Sequence, residues 1–234
     1  IEGKIKMTKL CAVVNAGTSK NALNELIKCK TCDIAELRLD YIKDIDEKKL
    51  KKLLEKRPKE VIVTCRPKKS GGMFIGTEQY RIRLLKKALD FNADYVDIEL
   101  ESGKEVIDEL LSSRQKSKII ISHHDFLKTP DLEELELIYL NANSYSPDNV
   151  KIATFANSIN DSFKIFKLLQ NKKNLTALCM GIKVQITRIL AKKFGSVIAY
   201  SSIKSGDESA LGQLSFKELI EEYNFNAITP KTRL

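Results

Sequence analysis

Short runs of aliphatic and β-branched residues alternate along this chain with longer stretches whose apolar positions recur every three to four residues. The first pattern is that of a strand and the second that of an amphipathic helix. Strands are predicted over residues 10–15, 34–39, 60–65, 95–100, 118–122, 150–155, 175–180 and 197–201. Helices are predicted near 19–29, 46–56, 78–92, 103–114, 131–143, 158–171, 185–194 and 215–223. Helix-start signals agree: Thr77-Glu78 before the third helix, Pro130-Asp131 before the fifth and Ser215 before the last. Eight strand–helix units of about 29 residues each have the size of a (β/α)8 repeat, so the predicted fold is α/β, a (β/α)8 TIM barrel. An open doubly wound sheet is the alternative. No glycine-rich phosphate loop follows the first strand, however, and the regular count of eight favours closure. No linker or low-complexity segment interrupts the pattern, which predicts a single domain over residues 1–234, with residues 1–8 as a flexible N-terminal segment.

Composition supports one sizeable core, since 43% of the 234 residues are hydrophobic. No apolar stretch approaches the roughly 18 to 20 residues of a membrane span, and residues 1–7 lack a run of signal-peptide length. The expectation is a cytoplasmic protein with no membrane partner. A net charge of +9 raises the question of nucleic acid. Of the 40 basic residues, however, 32 are lysine and eight arginine, and lysine pairs such as Lys48-Lys49 and Lys86-Lys87 lie on predicted helix faces. Base readers favour arginine, and single-strand binders interleave aromatics. Here tryptophan is absent and no aromatic–basic repeat occurs. A solvated surface with mild attraction for small anions is the better account, with no nucleic-acid partner. Five cysteines are an odd number without a secreted disulfide spacing. Cys29 and Cys32 form a CxxC, but no second Cys/His pair is spaced to complete a zinc site, so no metal or redox role is expected there.

In a barrel of this kind the chemistry sits at the C-terminal ends of the strands, and the unusual polar residues fall there. Strand two ends Glu36-Leu37-Arg38-Leu39-Asp40, three charges on one face with leucines on the other. Strand three delivers Arg66, and strand four carries Asp97 and Glu99, expected to form a charge-satisfied polar layer. The only two histidines, His123-His124, close the apolar run 118–122. Strand parity puts His124 on the face of Ser122 and Ile120, where an imidazole is a general acid–base candidate. Strand six holds Lys151 inside an apolar run, and a lysine is rarely buried without a partner or a function. An amine in a low-dielectric site is partly neutral and can attack a carbonyl. Lys151 and His124 lie on neighbouring strands and can face one substrate. Together they suggest imine chemistry at Lys151 with His124 moving a proton at the adjacent carbon, while Arg38 and Arg66 hold a carboxylate or orient hydroxyls.

These residues, with their neighbours, resemble the type I 3-dehydroquinate dehydratase family of the shikimate pathway. The matching motifs are Glu36-Leu-Arg38-Leu-Asp40; Thr64-Cys-Arg66 followed by Gly71-Gly72; Asp97-Ile-Glu-Leu100; Ser122-His-His-Asp-Phe126 with Thr129-Pro130; Val150-Lys-Ile-Ala153; Thr187-Arg-Ile189 with Phe194-Gly-Ser196; and Ser209-Ala-Leu-Gly-Gln213. Each is short, but their order and spacing together are specific. The resemblance implies a (β/α)8 barrel, usually a homodimer, that dehydrates 3-dehydroquinate to 3-dehydroshikimate on the way to aromatic amino acids, with no metal or organic cofactor. By motif, Lys151 is then the Schiff-base lysine, and His124 takes the C2 proton and assists loss of the C1 hydroxyl. Glu36, Arg38 and Arg66 would bind substrate hydroxyls, Arg188 would clamp the carboxylate, and Ser209 and Gln213 would close from a mobile loop after strand eight. Residues 201–214 support such a lid independently, being long and polar, with Gly206 and Gly212 as hinges.

The chain departs from the family pattern at three places. Ser70 stands where many members have a Glu that assists the histidine. Either that Glu is dispensable, or Glu99 or Asp125 tunes His124. His123 occupies a position that can also be Asn, which implies a hydrogen-bonding neighbour and not the base. Leu211 stands where a Pro is common, which bears on the stiffness of the lid. Two other functions remain in view. A class I aldolase would use the same fold and a strand-six lysine, commonly with a phosphate site, for which Gly181, Lys204 and Gly206 offer material. A catalytically dead barrel used as a scaffold would have lost part of the Lys, His and Arg set, and here all of it remains.

Overall fold

The structure, a computed structural model, describes residues 8–170 and 172–233. Eight parallel strands follow one another around the sheet: β1 (Lys9–Val14), β2 (Ile34–Arg38), β3 (Glu60–Thr64), β4 (Tyr95–Glu99), β5 (Lys118–Asp125), β6 (Asn149–Phe155), β7 (Leu175–Met180) and β8 (Ile198–Ser202). β8 returns to pair with β1, from Lys9 opposite Ile198 to Val13 opposite Ser202. The seam between β7 and β8 is bridged by Val197 N to Leu175 O at 2.9 Å and by Ile198 N to Thr176 Oγ1 at 3.1 Å. The sheet is thus a nearly closed TIM barrel. Among the described residues, seven α-helices lie between the strands: α1 (Ser19–Lys28), α2 (Glu47–Glu55), α3 (Glu78–Asp90), α4 (Lys104–Ser113), α5 (Leu132–Ser144), α6 (Asp161–Gln170) and α7 (Ile186–Ile189).

Both faces of the strands are buried, which is why they appear in the sequence as near-continuous apolar runs. One cluster fills the barrel interior, with Val13, Ile34, Ile62, Ile120, Leu178 and Tyr200 among its members. A larger one packs the outward residues, such as Leu37, Val63, Ile121 and Ile152, under the helices. The helix starts are capped where the sequence signals them: Thr77 accepts from Tyr80 N and Asp131 from Glu134 N. Among the described residues no helix is long and apolar enough to cross a membrane.

Several boundaries differ from expectation for local reasons. β5 runs on through the histidine pair because Ile152, Ala153 and Thr154 of β6 offer it partners. α6 begins at Asp161 and not at 158, because the Asp161 carboxylate accepts from the amides of Asn157 and Ser158 and holds a turn there; residue 171, the last predicted for that helix, lies outside the described residues. The predicted helix 185–194 shortens to α7, since the chain tightens after Ile189 with Ala191 N bonded to Arg188 O. The predicted helix 215–223 forms a short π segment, Glu218–Glu222, whose start Ser215 and Glu218 cap reciprocally. The expected flexible segment 1–8 falls outside the described residues except for Thr8, which is buried and donates to the Ser196 carbonyl at 2.6 Å.

Candidate active site

Parity along β5 and β6 decides what enters the barrel mouth. Ser122 lies in register with Lys151, and His124 with Ala153. Their sequence neighbours Ile121 and Ile152 pack outward. His124 and Lys151 therefore open on one cavity at the barrel mouth. Lys151 Nζ stands 3.5 Å from Glu36 Oε1 and 3.8 Å from Asp97 Oδ2, and 3.8 Å from the centre of the Tyr200 ring. His124 stacks on Phe126 with ring centres 6.0 Å apart. Its Nδ1 is shielded from solvent and has no hydrogen-bond partner among the described residues. Burial, then the cations of Arg66 and Lys151, hold the His124 pKa well below the ordinary histidine value, so the imidazole is neutral near pH 7. His123 pairs instead with Glu101.

On the β2–β4 side the charges are paired. Arg38 donates twice to Asp40, at 2.9 and 2.7 Å, and Asp40 also accepts from the Met73 amide at 3.0 Å, tying the loop after β3 to β2. Arg66 donates to Glu99 and Ser122 at 2.8 Å each and to Asp97 at 2.9 Å. Glu99 is gripped from its far side by Arg81 of α3 at 2.7 Å, and Arg81 in turn reaches Glu78 at 2.7 Å. Burial alone would raise the Asp97 pKa, but Arg66 and Lys151 overcome it and hold the carboxyl below its usual range. Glu36 accepts from Thr64 Oγ1 at 2.8 Å.

On the opposite side the polar groups wait for partners. Arg188 is buried, with no ion pair and with Nε unbonded among the described residues. Burial lowers its pKa to about 10, which still leaves it charged at neutral pH. A buried cation without a counter-ion is costly, and an anionic ligand group would complete it. The Tyr200 hydroxyl is likewise buried and unbonded among the described residues. Over the mouth, Ser209 donates to Gln213 Oε1 from both N and Oγ, at 2.8 and 3.0 Å.

All eight residues expected in the site, Glu36, Arg38, Arg66, His124, Lys151, Arg188, Ser209 and Gln213, line this cavity. Neither acid offered as a partner for His124 reaches it. Glu99 is held by the two arginines, and Asp125 accepts from the amides of Leu127 and Lys128 at 2.8 and 3.0 Å. Ser70 lines the cavity in the place of an acid. Gly212 is not the free hinge expected. Its φ is 76°, and a Cβ there would lie 2.3 Å from the Gly181 carbonyl oxygen, while Leu211 O accepts from Gly181 N at 2.9 Å. That end of the loop is pinned to β7, whereas Gly206, at φ 93°, has open space around it. Sequence reasoning does not single out Tyr200, since a tyrosine in an apolar strand passes for core. The available signal was its parity, which puts it on the inward face of β8.

A family model described as type I 3-dehydroquinase matches residues 10–230. The chain is 35% identical over 219 residues to a 3-dehydroquinate dehydratase of Coxiella burnetii, covering 92% of each chain. It is 34% identical over 230 residues to the chloroplastic bifunctional 3-dehydroquinate dehydratase/shikimate dehydrogenase of Arabidopsis thaliana, covering 96% of this chain and 38% of that longer one. Among solved structures, the type I 3-dehydroquinate dehydratase of Clostridium difficile, with covalently modified comenic acid, superposes with a TM-score of 0.85 at 28% identity, covering 95% of this chain and 94% of that one.

Proposed function

The chain belongs to the type I 3-dehydroquinase family, and from that premise we propose that it is a hydro-lyase converting 3-dehydroquinate to 3-dehydroshikimate in the shikimate pathway, through an imine on Lys151. The observation that carries the proposal is the shared cavity of a buried lysine and a neutral, unpartnered imidazole, Lys151 and His124. Lys151 Nζ attacks the ketone carbon, and loss of water from the carbinolamine leaves an iminium. The iminium draws electrons from the adjacent carbon, so His124 can take the C2 proton and leave an enamine. Collapse of the enamine expels the C1 hydroxyl with a proton from the His124 imidazolium. Water then releases the product and restores the amine.

The low pKa of His124 divides the work. A neutral imidazole with a depressed pKa is a weak base, so the iminium must supply most of the acidity at C2. Its conjugate imidazolium is correspondingly a strong acid and drives loss of the hydroxyl. Arg188, a buried cation with no counter-charge among the described residues, suits the substrate carboxylate. Glu36, Arg38 and Arg66 suit its hydroxyls. Three hydrogen bonds commit Arg66 to its neighbours, which leaves two of a guanidinium's five donors for substrate. Ser209 and Gln213 close over the mouth. The protein would act in the cytoplasm as a homodimer; exposed Leu137 and Leu140 on α5 and Phe163 on α6 offer apolar area for such a contact, and light scattering would detect it.

Incubation with 3-dehydroquinate, followed by ultraviolet absorbance, tests the activity. A conjugated enoate chromophore should grow in. Aldol cleavage would not produce it, and its absence would refute the dehydratase assignment.

A further inference from the structure

We propose that Tyr200 is a further catalytic residue, whose ring face holds the positive charge on Lys151 Nζ through the iminium stage. This inference rests on the imine reading above. Tyr200 is the inward residue of β8 in register with Cys11 of β1, and its ring centre lies 3.8 Å from Nζ, well within the range at which a π face attracts a cation. The contact is buried, and there such attraction is strongest because water does not compete. The hydroxyl makes no hydrogen bond among the described residues, so no protein hydrogen bond accounts for the placing of the ring. Its position is set by packing in the interior cluster with Val13, Leu178 and Met180.

The chemistry gives the ring a task that the other neighbours of Nζ perform less well. Facing the amine are the carboxylates of Glu36 from β2 and Asp97 from β4, with Arg66, just past the end of β3, bonded to Asp97. His124 of β5 lines the same cavity, and buried Cys11 of β1 shares the interior cluster with Tyr200. A carboxylate or an imidazole can stabilise the iminium but can also accept its remaining proton, which would give a neutral imine and remove the electron sink. A π face stabilises the cation and accepts no proton. Losing the ring would therefore lower the pH above which the bound iminium deprotonates, and kcat would fall off on the alkaline side sooner.

The test compares Tyr200→Phe, Tyr200→Leu and a series with phenylalanines bearing one, two and three ring fluorines at position 200. The fluorines weaken the π face while keeping its shape, so the series reads the inference even if the leucine variant fails to fold. Tyr200→Phe keeps the π face and is the reference for the series; relative to it, Tyr200→Leu should lose about tenfold in kcat with the alkaline limb shifted to lower pH. The fluorinated series should step from one to the other. A flat fluorinated series, a phenylalanine variant as slow as the fully fluorinated one, or a fall in kcat without movement of the limb would overturn the inference. Borohydride trapping with 3-dehydroquinate in the wild-type protein separates this from the underlying reading. Label on Lys151 with a flat series sinks the role of Tyr200 alone, and no label on Lys151 sinks both.

Discussion

The two sides of the cavity solve the problem of buried charge in opposite ways. From α3 to β4, Glu78, Arg81, Glu99, Arg66 and Asp97 alternate in sign, each bonded to the next. Across the mouth, His124 Nδ1, Arg188 Nε and the Tyr200 hydroxyl are buried and unbonded among the described residues. Paired charges offset part of one another's desolvation cost, and breaking a pair leaves the survivor uncompensated. Unpaired groups carry a cost that a substrate can relieve. The difference separates the groups that build the site from those that wait for the ligand, and it predicts which variants lose structure and which lose function.

The largest effect belongs to the waiting side. His124→Ala should reduce turnover roughly 10²- to 10⁴-fold while still accumulating imine that borohydride traps; turnover near that of the wild type would remove the histidine from the mechanism. The paired wall should respond in stability as well as in substrate binding. Arg66→Met leaves Asp97 and Glu99 buried with fewer counter-charges, and should cost about 3–5 kcal/mol in urea unfolding. Arg188→Met removes a buried cation that has no partner, so it should unfold at or above the wild-type midpoint while KM rises by roughly one to two orders of magnitude. Equal stability losses in the Arg66 and Arg188 variants would erase the distinction between the two sides.

The smallest effect is in pH. Since His124 is depressed below the ordinary value of 6.5, kcat/KM should hold through that pH and fall only further into acid. The same shift bears on stability. A histidine whose folded pKa is lowered carries stability that is present above its unfolded pKa and lost as pH falls toward the folded one. Below about pH 6.5 the wild type should therefore lose stability faster than His124→Gln. Parallel losses would mean that His124 is not held neutral by burial.

How far the sequence reached follows the same division. The strands were legible because burial on both faces turns each into a short apolar run, and the charged site residues were legible because each interrupts or directly follows such a run. Lys151 and Arg66 are the clearest cases. Arg81 was not, since an arginine among the polar positions of α3 looks solvated, yet it is fully buried beneath Glu99. Tyr200 was hidden for the opposite reason, resembling core. The choice of acid for His124 could not be made from composition either, because it turns on where Glu99 and Asp125 spend their hydrogen bonds. Gly71 shows how close the fit is. Its φ is 76°, and a Cβ there would lie 2.1 Å from the ring of Phe126, on which His124 stacks, so a motif glycine turns out to be what lets the loop after β3 close on the histidine.

Everything depends on Lys151 being the residue that holds the substrate. Treating the protein with 3-dehydroquinate and borohydride, then mapping the adduct by peptide mass, measures this directly. The peptide containing Lys151 should gain the mass of the reduced substrate adduct, and Lys151→Ala should gain none and lose almost all turnover. An unlabelled Lys151, or a label on any other lysine, would contradict the account.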